Sequence, residues 1–335
     1  MSPAQRFRTS DGRTLYCLPI EVFEGMEANL YLLVDSDQVV LVDCGTGLES
    51  ARRDLLLRLD EIAEQFGQRL RLADVDVILV THGHIDHFGG LPWLRQETGA
   101  EVGVHMLDQR VLSHYEERVV VASRQLEMFL SRAGLGPERR AQMIEMYKVA
   151  KGHYRSTPVD FLLVEGQPAP GGFEVIHVPG HCPGQVCLRL DDLLLTADQV
   201  LSHTTPHQAP ESITPYTGLG HFLDSLDRLA RLDGIRLALG GHEEPMPNLR
   251  GCIDRIHRMH QARLQRVLEI CAEPRTVAEV SRELFGPRHS YHVLLALEEA
   301  GAHVEYLYQR GELCAANVAE IESAAEPVIR YRRCS

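Results

Sequence analysis

Short apolar runs alternate with amphipathic stretches along the first 250 or so positions. "NLYLLVDSDQVVLVDCG" (29–45) sets Val and Leu on both sides of Asp35-Ser36-Asp37, which predicts two strands around a turn. "LESARRDLLLRLDEIAEQFG" (48–67) carries leucines at helical spacing and ends on glycine, which predicts a helix. "VDVILV" then reads as a buried strand, followed by a helix starting near Gly89 and a short strand, "AEVGVHM" (100–106). Further on, "FEVIHV", "CLRLDD", "LLLTAD" and "IRLALGG" predict strands, with the helix "GHFLDSLDRLARL" (220–232) between the last two. Strands interleaved with helices predict an α/β layered domain ending near residue 249.

Two stretches depart from that pattern. From about 107 to 157 the chain is helical and amphipathic, and Met128, Phe129, Met143, Met146 and Tyr147 could line a lid or pack the helices. After "HEEPMPNLRG" comes a long helix, "CIDRIHRMHQARLQRVLEICAE", and two shorter ones, "TVAEVSRELFG" and "SYHVLLALEEAG". "VEYLYQRGELCAANV" predicts a hairpin around Gln309-Arg310-Gly311. Three helices and a hairpin is the order of a winged-helix module. The expected division is therefore 1–249, with an insertion at about 107–157, and 250–335.

Composition narrows the partners. A net charge of −13, with Lys148 and Lys151 the only lysines, weighs against nucleic acid. "SYHVLLALEEAG", where a recognition helix would lie, has no lysine or arginine and two glutamates, so DNA is disfavoured and the module is expected to pack or dimerise. The polar N-terminus has no apolar signal region, and no apolar run approaches the ~18 residues of a membrane span. With eight scattered cysteines and no C-x-x-C pair, reduced thiols in a cytoplasmic protein are expected.

The chemistry gathers where strands end. "VDVILVTHGHIDH", "FEVIHVPGH", "LLLTAD" and "IRLALGGH" each place a metal-capable side chain just past an apolar run: His82, His84, Asp86, His87, His181, Asp198 and His242. Strand ends of an α/β sandwich meet along one edge, where ligands bind. Imidazole and carboxylate suit zinc, iron or manganese. So many donors exceed one tetrahedral ion and suit two ions ~3.5–4 Å apart with a bridging carboxylate.

These stretches resemble the metallo-β-lactamase fold superfamily: "THGHIDH", "PGHCPGQ", "TADQ" and "GGH", with "LVDCG" as a further strand end. The likeness covers roughly 14–249 and implies an αβ/βα sandwich. It implies that His82, His84 and His181 hold one metal, that Asp86, His87 and His242 hold the other, and that Asp198 bridges them. Asp43 would orient ligands through hydrogen bonds. The tail resembles the lactamase-beta-2-like subgroup, in which a winged-helix-like module follows the last histidine.

The function expected is a binuclear, EC 3 class metal-dependent hydrolase, zinc being the first choice of metal. A metal-bridging hydroxide would attack a small ester-like substrate such as a thioester or lactone, with Asp86 and Asp198 in catalytic roles. His84 matters here: flavo-diiron relatives carry glutamate at that position. His203, His207 and Tyr216 are the candidates for substrate contact. A single-strand endoribonuclease of the lactamase-beta-2-like type is the alternative, disfavoured by the acidic charge, and a ligand-binding regulator is the third reading. A homodimer is the expected oligomer.

Overall fold

In β2 (Thr14–Phe23) seven of the ten residues are buried, and its two faces serve different layers. Leu15 and Cys17 face the core between two sheets. The strand also packs on α1 (Glu49–Phe66), which buries Ala51, Leu55, Leu59 and Ile62 along one stripe. The computed structural model describes residues 2–334.

The first sheet has seven strands in chain order: β1 (Gln5–Arg8), β2, β3 (Met26–Val34), β4 (Val39–Val42), β5 (Val77–Val80), β6 (Glu101–His105) and β7 (Phe161–Leu163). Pairing is antiparallel up to β4 and parallel from β4 to β7. The second sheet has five strands, ordered β12 (Leu237–Gly240), β11 (Leu193–Ala197), β10 (Val186–Leu190), β9 (Phe173–His177) and β8 (Pro168–Ala169). One continuous core joins them, with Leu33, Val42, Val77 and Leu79 from the first sheet and Phe173, Val186, Leu195 and Leu239 from the second. Short helices follow β5, namely α2 (Ile85–Phe88) and α3 (Leu91–Thr98).

The chain divides into two compact units, each discontinuous in sequence. The sandwich unit comprises the residues up to Tyr115, Tyr154–Pro206 and Ser225–Ile253. The helical unit comprises Glu116–His153, His207–Asp224 and the segment from Asp254. Where the sequence suggests a division near 249, the packing thus groups the insertion with the C-terminal helices. The insertion forms α4 (Gln109–Ser113), α5 (Tyr115–Arg132) and α6 (Pro137–Lys151), and α7 (Leu219–Leu229) precedes β12. Phe129 and Met143 lie in the helical core with Val267, Val280, Leu294 and Leu297, Met146 and Tyr147 pack against it, and Met128 is exposed.

The C-terminal order is α8 (Leu249–Ile270), α9 (Val277–Phe285), α10 (Tyr291–Gln309), β13 (Leu313–Ala315), α11 (Val318–Ser323) and β14 (Tyr331–Arg333). The expected hairpin around Gln309-Arg310-Gly311 is not there. "VEYLYQ" continues α10, and β13 pairs instead with β14, antiparallel. Gly301 is not a helix end: it lets α10 pass close to Phe129 and Pro210, where an added Cβ would come within 2.7–2.8 Å of either ring. The expectation of all-reduced thiols is also corrected, because Cys314 and Cys334 form a disulfide.

Candidate metal centre

The candidate donors follow the strand ends of the sandwich. β5 runs into His82, His84, Asp86 and His87, β9 into the loop of His181, β11 into Asp198 and β12 into His242. Three groups of donors form: His82, His84 and His181 with Cys182; His82 and His87 with Asp198; and Asp86 and His87 with His242. Within each group the donor atoms lie within 4.8 Å of one another.

Asp198 faces both sides. Its Oδ2 lies 3.6 Å from His181 Nε2, 4.0 Å from His82 Nε2 and 3.4 Å from His242 Nε2. Its Oδ1 lies 3.5 Å from His87 Nε2. Asp86 Oδ2 is 3.5 Å from His242 Nε2 and 3.9 Å from His87 Nε2.

The far nitrogens are held from behind. His87 Nδ1 hydrogen-bonds to Asp43 Oδ2 at 2.8 Å and His242 Nδ1 to the Glu27 carbonyl at 2.6 Å. His82 Nδ1 lies 3.0 Å from the Thr81 hydroxyl, which donates to Asp43 Oδ2 at 2.8 Å. These bonds aim the Nε2 atoms inward, the usual role of outer partners around a metal. Backbone strain concentrates beside the donors: Asp43, Ala197 and Glu243 adopt φ of 62°, 45° and 64°, sparse for non-glycine residues. Gly241 has no room for a side chain, since a Cβ would lie 2.3 Å from Asp198 Oδ1.

Several observations fit divalent cations. His87 Nε2 and Asp198 Oδ1 are buried and make no hydrogen bond, a costly state unless something else satisfies them. Burial alone would raise the Asp198 carboxyl, but His242 and His87 hold it well below the usual carboxylate range. Burial alone would lower His87, but Asp198, Asp43 and Asp86 hold it well above the usual imidazole range. Against burial, Asp198 pushes His242 up to about 10. Burial and the nearby His87 keep His82 well below its ordinary value. The carboxylates therefore draw positive charge into the pocket, and bound cations would replace those protons.

The proposed substrate contacts are not gathered in this way. His203 is exposed, with its Nε2 2.9 Å from exposed Glu244. His207 bonds through Nε2 to the Leu295 carbonyl at 3.1 Å, within the helical unit. Tyr216, also in the helical unit, is half-exposed at φ 67°. Three contributors escaped sequence reasoning. Cys182 joins the His82, His84 and His181 group. Tyr31 donates to the Gly240 carbonyl at 2.6 Å, and Asn29 Nδ2 donates to the Gly240 and Glu243 carbonyls at 3.2 and 2.8 Å. Cys182 had a signal, its place beside His181; the other two had none beyond strand alternation.

A further cluster, in the helical unit, joins His260, Glu299 and His303, all buried. Its carboxylate accepts from Arg263 at 2.8 Å and from the Gln208 amide at 2.7 Å. His260 Nδ1 and His303 Nε2 lie 3.1 Å apart, and His303 Nδ1 bonds to the Glu299 carbonyl at 2.7 Å.

Fold and donor set together define a protein class. The Metallo-beta-lactamase superfamily profile matches residues 24–242, and the chain belongs to that superfamily and is a hydrolase. Among curated relatives, the probable metallo-hydrolase YqjP of Bacillus subtilis (strain 168) is 24% identical over 286 residues, 82% of this chain and 86% of that one. The acyl-coenzyme A thioesterase MBLAC2 of Homo sapiens is 26% identical over 223 residues, 62% of this chain and 69% of that one. Among solved structures, the metallo-beta-lactamase family protein TTHA1429 from Thermus thermophilus aligns with a TM-score of 0.76 at 30% identity, covering 96% of this chain and 98% of that one.

Proposed function

We propose that the chain is a two-cation hydrolase of small thioester or related ester-like substrates. His82, His84 and His181 would hold one cation and Asp86, His87 and His242 the other, with Asp198 between them. The observation that carries this reading is Asp198 itself, with one oxygen toward His87 and the other toward His82, His181 and His242. Two divalent cations, zinc first and iron or manganese as alternatives, would supply Lewis acidity toward a carbonyl oxygen and lower the pKa of water.

This chain's own groups do the rest. The Asp43–Thr81 network fixes the His87 and His82 rings. Asp86, partly accessible at the rim, can take a proton from water and deliver it to a departing thiolate. The thioester class is supported by the named activity of the human relative. No helix among the described residues is long and apolar enough to cross a membrane. We read the C-terminal three helices with β13 and β14 as a winged-helix-like packing or dimerisation module of a cytoplasmic protein. The absence of lysine and arginine from α10 supports that over DNA binding.

The test is initial rates of metal-reconstituted protein on an acyl thioester, a lactone and a short single-stranded RNA, with Asp198→Ala alongside. Thioester or lactone turnover that vanishes in the variant upholds the proposal. Cleavage of the RNA alone overturns it in favour of an endoribonuclease.

A further inference from the structure

Among the buried carboxylates of the sandwich unit outside the donor groups, Asp108 bonds two donor-bearing loops at once. Asp108 follows β6 in "VHMLDQR" and is fully buried. Its Oδ2 accepts the Gly83 amide at 2.8 Å and its Oδ1 accepts the Gly184 amide at 3.0 Å. Gly83 sits between His82 and His84, and Gly184 lies three residues after His181. One carboxylate thus bonds the two loops that carry His82, His84 and His181, and neither of these bonds reaches the loops of Asp198 or His242.

Both glycines are cut to this fit. A Cβ on Gly184 would stand 2.7 Å from the Asp108 Cγ, and one on Gly83 would stand 3.3 Å from it and 3.1 Å from a Val111 methyl. Two short amide-to-carboxylate bonds are charge-assisted and directional, so they fix loop separation more firmly than apolar packing could. Beneath the loops, the His105 and His177 rings stack with centroids 4.0 Å apart, and His177 Nε2 bonds to the Pro183 carbonyl at 2.8 Å. The two carboxylates act at different points: Asp43 holds Thr81 and the His87 ring, while Asp108 clamps the backbone between His82 and His84 to the loop that follows His181.

We infer that Asp108 is a positioning residue for the His82, His84 and His181 group, setting the spacing at which those imidazoles converge on a cation. It acts on those rings through the backbone of the loops that carry them. The inference rests on the two-cation reading above.

The test measures zinc uptake rather than turnover. Metal-free protein is titrated with Zn²⁺ against a chromophoric chelator, in two backgrounds that each disable one group: His242→Ala and His84→Ala. Asp108→Asn keeps the side-chain shape but offers an amide N–H₂ to one of the two backbone donors. In the His242→Ala background it is expected to weaken zinc binding about 10- to 100-fold, the usual cost of losing an outer partner. In the His84→Ala background it should leave the remaining affinity unchanged. Equal weakening in both backgrounds shows a general structural role and overturns the inference, as does no weakening in either. If Asp108→Asn does not fold, Gly184→Ala is the second variant: its Cβ pushes on the same carboxylate and should show the same selectivity. Wild-type protein that takes up two zinc ions yet hydrolyses no thioester sinks the proposed function and leaves this inference standing. Uptake of fewer than two removes its premise.

Discussion

Among the described residues, histidine and acid gather at the sandwich edge and again among the C-terminal helices, and the two gatherings differ in what their atoms are bonded to. At the edge, outer nitrogens are held by Asp43, Thr81 and the Glu27 carbonyl, while inner atoms face one another, and His87 Nε2 and Asp198 Oδ1 make no hydrogen bond. In the helical unit, Glu299 is occupied by Arg263 and the Gln208 amide and the two imidazoles bond to each other, so although His260 Nε2 is also buried without a hydrogen bond, the charge around it is already balanced. A guanidinium at the carboxylate repels any cation arriving there. Residue type is therefore a poor criterion for a metal site. The better one is donor atoms left unsatisfied in a region whose charge a cation would balance.

The harshest way to break this contrast is to remove its pivot. Asp198→Ala deletes the oxygens shared by both donor groups and leaves His87 and His242 facing a void. Zinc content measured by atomic emission should fall from two per chain to one or none, and turnover should drop at least ~1,000-fold, about 4 kcal/mol in barrier. His260→Gln should leave the zinc content at two. If His260→Gln loses an equivalent instead, the helical cluster is a metal site and the contrast fails.

Arg263→Met probes the other side. It strips Glu299 of its guanidinium, and burial already pushes that carboxyl up to about 7 even with Arg263 beside it. Breaking a buried pair costs several kcal/mol, and because Arg263 is partly exposed we expect about 3 kcal/mol in urea unfolding. A loss below about 1 kcal/mol would show that the pair is not what holds Glu299 in place.

How far the sequence speaks for itself follows from the same physics. Polar donors directly after an apolar strand are locally anomalous, so His82, Asp86, His181, Asp198 and His242 are legible without any coordinates. Asp108 is not, because its partners lie 25 and 76 residues away and nothing in "VHMLD" marks it. The continuation of α10 is hidden because Gly301 looks like a break, while its purpose is close approach to Phe129. The Cys314–Cys334 pair spans 20 residues with no spacing signature, so only the folded β13–β14 pairing reveals it. Polar β1 carries too little alternation to stand out.

Acid should separate the helical cluster from a solvent-exposed histidine pair. Burial and the neighbouring His303 push His260 down to about 2, and burial pushes His303 down to about 4. Unfolded histidine titrates near 6.5, so these depressed values give stability that is present above pH 6.5 and lost as pH falls through about 4. At pH 5 the loss is about 2 kcal/mol per histidine. Urea unfolding at pH 7.5 and pH 5 should show His260→Gln losing about 2 kcal/mol less than wild type across that interval. The sandwich site is common to both proteins and cancels. Equal losses would mean that His260 is free to charge in the folded state.

The smallest expected effect lies in the frame of the sandwich site. Tyr31→Phe removes the hydroxyl that donates to the Gly240 carbonyl at the end of β12, two residues before His242. That carbonyl keeps a second donor, Asn29 Nδ2 at 3.2 Å, so it is not orphaned and the cost should be about 1 kcal/mol in urea unfolding. Asn29→Ala removes two side-chain bonds, including that to the Glu243 carbonyl, and should cost more. If the ordering reverses, the short tyrosine bond is the main restraint on the β12 end. Zinc stoichiometry should stay at two in both variants, because His242 is aimed by the Glu27 carbonyl rather than by Gly240. The rigidity of this site would then come from many modest bonds to the loops, with Asp198 the one group that none of them can replace.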